Sequence, residues 1–166
     1  MVMLSHSGDT IVGGVRKVAF VRTELIDSIV FDEVENVFSE IRLKPDAKWK
    51  IILPKENMAR FDQIITEDTG VWLMTLKVSL LCNEAGRTVA LSLKNDIREG
   101  VVILVEFNDG SAILMGYSSR SKSRVGVKLD KAEILTATTE QKCLSVESIS
   151  LSWRDILPAK KVNVIL

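Results

Sequence analysis

The most restrictive stretch of this chain is residues 101–117, where two apolar runs flank Asn108-Asp109-Gly110-Ser111. Val101, Ile103, Val105 and Phe107 recur with the two-residue period of a strand, and an apolar run returns over residues 112–117. Asp-Gly between two such runs predicts a tight hairpin, because both residues tolerate the positive φ angles the turn needs. A lone hairpin is at best marginally stable in water. The rest of the chain must therefore supply further strands or a helix to cover this one.

Those partners can be read on both sides of it. Residues 15–22 alternate roughly, with Val18 and Phe20 on one side, and predict a first strand. Over residues 29–43, Phe31, Val34, Val37, Phe38 and Ile41 have helical spacing, yet the same residues also suit two strands. Their richness in β-branched and aromatic types favours strands. Residues 49–53 predict a short apolar strand stopped by Pro54, and Met58, Phe61 and Ile65 have spacing that admits a short helix over 57–65. Residues 71–81 are almost unbroken apolar. Trp72, Met74, Leu76, Val78 and Leu80 share one face, and Val71, Leu73 and Leu81 mark a second that is partly covered.

After a turn at 83–86, residues 87–98 predict one helix, with Val89, Leu93 and Ile97 in an i, i+4, i+8 stripe, Ala90 beside it and Gly100 as the left-handed stop. A polar, basic loop spans 118–126, and a last strand pair covers 127–137 and 144–153. In that pair Ile149, Leu151 and Trp153 point inward, and Ser148, Ser150 and Ser152 face water. The sum is an α+β domain, mainly antiparallel β, with one helix at about 87–98. Residues 1–14 read as a flexible N-terminal arm and 15–166 as a single β-rich domain. Trp72, Leu76, Leu93, Val105, Leu114 and Leu151 are the expected core.

Charge and composition exclude several functions. The 22 Lys and Arg cancel the 22 Asp and Glu, so no basic excess favours nucleic acid. No apolar run nears the ~20 residues of a membrane span, and the polar residues Ser5 to Asp9 interrupt any leader-like segment. The expectation is a protein made in the cytoplasm, with neither nucleic acid nor membrane as partner. Cys82 and Cys143 share no CxxC spacing; they admit one disulfide but no disulfide framework or zinc site, and read more simply as two small apolar residues.

The chemistry-bearing residues are few. The one histidine, His6, falls in the arm, which leaves no imidazole base or ligand set in the domain. Gly13-Gly14 lacks the third glycine of a phosphate-binding fingerprint. Asp32, Glu33 and Glu35, or Glu67 and Asp68, could be taken for an acid/base or metal pair. Glu33 and Glu35 in a strand would share one face and read more simply as its solvated side. No catalytic, cofactor-binding or metal residues are assigned, no cofactor is implied, and the chain does not read as an enzyme. Arg120, Lys122 and Arg124, alternating with serines, form a candidate contact loop for phosphate or an acidic partner surface.

Taken in order, several segments carry a resemblance. They are Gly13-Gly14 before an apolar first strand, Trp49-Lys50-Ile51, the acidic run through Gly70 into Val71-Trp72, the helix leading into 101–116 with its Leu-Met-Gly end, and a Ser-rich terminal strand closing on Pro158. This order resembles a group of short proteins from prophage regions of gut anaerobes, tail or virion structural components. The resemblance spans about residues 13–158. Thr138-Thr139-Glu140-Gln141 stands where that group carries a strong glycine. It implies a tail-tube-like subunit: a β-sandwich or barrel with one flanking helix, stacked in rings, whose partners are copies of itself and other virion proteins. It brings no site residues. The expected function is that of a phage-derived structural subunit acting by self-association, cytoplasmic before assembly and in the virion after it. The alternative is a small-ligand or protein-partner binding β-domain of the host cell.

Overall fold

The computed structural model describes residues 14–66, 69–80, 84–134 and 147–163. His6, Cys82, Cys143, Glu67, Asp68 and all of the expected arm except Gly14 lie outside them. In chain order the strands are β1 (Val15–Arg22), β2 (Ile26–Asp32), β3 (Val37–Leu43), β4 (Lys50–Ile52), β5 (Pro54–Ile65) and β6 (Trp72–Leu80). After helix α1 (Glu84–Glu99) come β7 (Val101–Phe107), β8 (Ala112–Met115), β9 (Tyr117–Ser118), β10 (Ser123–Arg124), β11 (Lys128–Ile134), β12 (Glu147–Asp155) and β13 (Lys160–Lys161).

The predicted hairpin is the centre of the molecule. β7 pairs antiparallel with β8 on one side and β1 on the other, and β13 and β4 complete a five-stranded sheet. Alternation here separates two apolar faces rather than an apolar from a polar one. Val101, Ile103, Val105 and Phe107 of β7 join Val18 and Phe20 of β1 and Ile113 and Met115 of β8 in one cluster. That cluster is closed from above by a four-stranded sheet ordered β11-β12-β6-β5, through Met74, Leu76, Val78, Ile149, Leu151 and Trp153. Val102 and Leu104, with Ala19, Ala112 and Leu114, form the second cluster, which the β2–β3 hairpin covers with Ile29, Phe31, Phe38 and Ile41. The five-stranded sheet is thus buried on both faces, the hairpin on one and the second sheet on the other. Among the described residues no sheet closes on itself, so the sandwich form is realised and the barrel is not. Burying a large aliphatic side chain contributes about 1.5–3 kcal/mol, so these two clusters dominate the stability.

α1 flanks the sandwich as expected, with Leu93 2% exposed and Val89, Ala90 and Ile97 packed on the first cluster. It begins at Glu84, so the turn expected at 83–86 is replaced, from Glu84 on, by the helix's first turn. Gly100 stops it at φ +90°, the left-handed geometry expected of a glycine there.

Several expectations need correction. Residues 57–65 are strand, not helix: β5 pairs with β6 from Ala59↔Val78 to Ile65↔Trp72. In that register Ala59 and Phe61 turn inward and Arg60 and Ile64 outward, so the partner strand, not the 58/61/65 spacing, decides the conformation. Pro54 does end the β4 run, but it opens β5, where a first residue needs no amide donor. Residues 29–43 form the two strands favoured above, yet Glu33 and Glu35 lie in the turn between them and not on a strand face. Trp72 is only half-buried, because it ends β6 opposite Ile65 and Asp155. The other five expected core residues are buried. Ser148, Ser150 and Ser152 are half-buried, and Ser152 Oγ donates to Asp130 Oδ1 at 2.8 Å. The terminal strand β13 was not expected. It pairs with β8, and the following Val162 bridges to Phe38, tying the β2–β3 hairpin to the sheet.

Candidate contact surface

The expected basic loop is itself a small hairpin. β9 and β10 pair through Tyr117↔Arg124 and Ser118↔Ser123, and Val125 N donates to Gly116 O at 3.0 Å. Lys122 sits at φ +49°, a conformation that costs a non-glycine residue about 1–2 kcal/mol. Its own carbonyl accepts the Tyr117 hydroxyl at 2.7 Å, which holds the turn in place. Ser118 and Ser119 are buried, whereas Arg120, Lys122 and Arg124 are all exposed.

A second tip lies beside it. Between β2 and β3, Asp32 Oδ1 accepts the backbone N–H groups of Val34 (2.8 Å) and Glu35 (3.1 Å), and Asn36 takes the left-handed φ of 58°. Aspartate at the first position and asparagine at positive φ are the residue types such a turn selects. This fixes the role of one weighed carboxylate: Asp32 caps its own turn. Glu33 and Glu35 point into solvent, and Val34 between them is 96% exposed.

Aromatic packing sets the two tips together. Phe38 is 1% exposed and meets Phe31 at 5.1 Å and Tyr117 at 5.9 Å, both edge-to-face. Lys122 Nζ then reaches Glu33 Oε1 at 3.0 Å. Each aromatic pair contributes about 0.5–1.5 kcal/mol beyond its buried area, whereas an exposed ion pair contributes about 0–1. The rings packed around the buried Phe38 therefore place the tips, and the ion pair follows. Residues 118–126 carry three cations and no acid, and residues 26–43 carry five carboxylates against one arginine, so the two tips have opposite sign. Among the described residues Arg120, Arg124 and Glu35 have no ion-pair partner.

One polar cluster was missed by sequence reasoning. Lys50 Nζ donates to Ser92 Oγ and to Asp96 Oδ2, both at 2.6 Å, and Arg22 Nε stands 3.9 Å from Asp96 Oδ1. The Lys50 ammonium also lies 5.7 Å from the Phe20 ring centroid. A serine beside a lysine invites comparison with nucleophilic dyads, in which a neutral amine takes the hydroxyl proton. Here the ammonium donates to both hydroxyl and carboxylate and has no lone pair to accept a proton. The cluster is a clamp that fastens α1 to β4 and β1. Residues 46 apart leave no local signal, so only the fold brings Lys50 and Asp96 together.

Among the described residues no group of three or more His, Cys, Asp or Glu is placed to hold a metal ion. Nor, among them, is any helix long and apolar enough to cross a membrane. Comparison of the chain with protein-family models, with curated proteins and with solved structures finds no match. What the chain can do must be argued from its own surface. The feature that stands out there is the pair of adjoining, oppositely charged tips, the acidic one carrying the exposed Val34.

Proposed function

We propose that this chain is a structural subunit of a phage-derived assembly, a tail or virion component that works by associating with copies of itself and with other virion proteins. One observation carries the reading. An acidic tip and a basic tip are held side by side by aromatic rings packed around the buried Phe38, and Val34, within the acidic tip, stands almost fully exposed. A fold that holds such a surface rigid lowers the ordering cost of a protein contact. Fixed charges of both signs give such a contact orientation and partner choice more than raw affinity. The central sheet, filled on both faces, supports the same reading, because its strands are committed to the domain's own core. On this reading the protein is made in the cytoplasm and carried into the virion.

The test is the size of the purified chain as a function of concentration, by light scattering and negative-stain electron microscopy, alone and with the products of neighbouring genes. The expected result is a monomer or small oligomer when dilute and larger regular particles when concentrated or given those partners. A chain that stays monomeric under every one of these conditions would overturn the reading and leave the host binding domain in its place.

A further inference from the structure

We infer that the two tips form one self-complementary patch, through which two copies of this chain pair about a two-fold axis. The inference rests on the self-associating reading above and names the occupant of its contact surface. A two-fold interface uses the same patch on both partners, so whatever one half presents, the other half must accept. A patch with one sign of charge repels its own copy. A patch with adjacent halves of opposite sign does the reverse, because rotation by half a turn lays each acidic half on the other copy's basic half.

This surface has that form. Glu33 and Glu35 supply the acidic half, and Arg120 and Arg124 the basic half. Lys122 and Glu33, 3.0 Å apart, mark the line where the halves meet. Glu35, Arg120 and Arg124 have no ion-pair partner among the described residues, so their charge is available to a second copy. Val34, 96% exposed, lies within the acidic half and would lose its water on pairing. The positions of both halves are fixed, since Asp32, Asn36, Tyr117 and the Phe31–Phe38–Tyr117 rings hold the two turns. Pairing therefore orders only surface side chains. Exposed charges give modest attraction, screened over about 8 Å at physiological salt, so the pair is weak when dilute and weaker still in high salt.

A charge exchange tests this on the full chain. One variant carries Glu33→Lys and Glu35→Lys, and a second carries Arg120→Glu and Arg124→Glu. All four side chains are exposed, so both variants should keep the wild-type circular dichroism spectrum and melting curve. Sedimentation velocity is run on each chain alone and on the two variants mixed. The expected result is a salt-sensitive wild-type dimer, at least tenfold weaker association for either variant alone, and recovery in the equimolar mixture as a one-to-one heterodimer. Two outcomes overturn the patch while leaving the structural-subunit reading standing: variants that dimerise as well as wild type, or a mixture that recovers nothing although wild type dimerises. A wild-type chain that forms no dimer but is recruited into particles by neighbouring gene products overturns the two-fold pairing alone. A wild-type chain that does neither overturns both.

Discussion

Three glycines in and beside the hairpins separate two costs that usually come together. Gly116 follows β8 at φ +89°, and a Cβ added there would lie 2.5 Å from the Val101 carbonyl oxygen and 3.1 Å from Val127 Cγ2. Gly110, in the β7–β8 turn, has a similar φ of +83° but nothing within 4 Å of an added Cβ. Gly126 has open space and no positive φ. Gly116→Ala therefore adds a backbone clash to the left-handed strain. The strain is about 1–2 kcal/mol, and the clash about 1–3 kcal/mol if the two strand ends must part. Gly110→Ala carries the first cost only. Gly126→Ala should be neutral or stabilising by about 0.4–1 kcal/mol, because it restricts the unfolded chain. Urea unfolding followed by tryptophan fluorescence reads all three, with an unchanged slope as the check on two-state behaviour. At 3 kcal/mol the thermal midpoint of a chain this size falls by about 6–12 °C. If Gly116→Ala proves no more destabilising than Gly110→Ala, β8 and the start of β7 do not approach as closely as this account requires.

Leu93→Ala should cost about 2–5 kcal/mol by leaving a cavity under α1, and an unmoved urea midpoint would mean that this helix face is not buried. A double-mutant cycle of Lys50→Met and Asp96→Asn should return a coupling on the order of 1 kcal/mol that shrinks in salt, and zero coupling would remove the clamp. Asp109 accepts the Ser111 hydroxyl at 2.6 Å and the Ser111 N–H at 2.9 Å, the hydroxyl being the larger influence, and these hold its carboxyl below the usual carboxylate range. A carboxylate whose pKa is lowered by folding adds stability above its unfolded pKa and loses it as pH falls through the folded one. NMR titration of the Asp109 side-chain carbon should show the lowered value, and Ser111→Ala should move it up towards an ordinary aspartate.

Legibility of this fold in the sequence follows the range of the interaction that decides each element. The 101–117 hairpin is readable because period, turn chemistry and Gly110 agree over a few residues. α1 is readable because Val89, Leu93 and Ile97 share a face and Gly100 ends it. β5 is not, since Phe61 and Ile65 have helical spacing and only their pairing with β6, across the short connection 66–71, makes them strand. β13 is too short to show any period, and its place beside β8 depends on the chain crossing from one sheet to the other after Asp155. At the contact surface, the cations of 118–126 are plain as a run. That Lys122 meets Glu33 from 89 residues away is decided by Phe38 packing on Tyr117, which no local pattern reports.

The same packing bears on how a protein with this many strands can associate without aggregating. Unpaired strand edges are the default route by which β-proteins join their copies, and natural sheets blunt them with short strands and charges. Both devices occur here. The five-stranded sheet ends in β4 and β13, three and two residues long, which offer few free backbone groups. The four-stranded sheet ends in β5 and β11, which place Arg60 and Asp62 on one edge strand and Lys128 and Asp130 on the other. Backbone edges could join copies in any register, because main-chain groups repeat along a strand. Turn tips cannot, since Glu33, Val34, Glu35, Arg120 and Arg124 occur once each in a fixed arrangement. A subunit whose edges are short or charged, and which presents charges of opposite sign at two adjoining tips, is built to be selective about contact. Its association should therefore respond to reversal of four surface charges far more than to any change along the sheet edges.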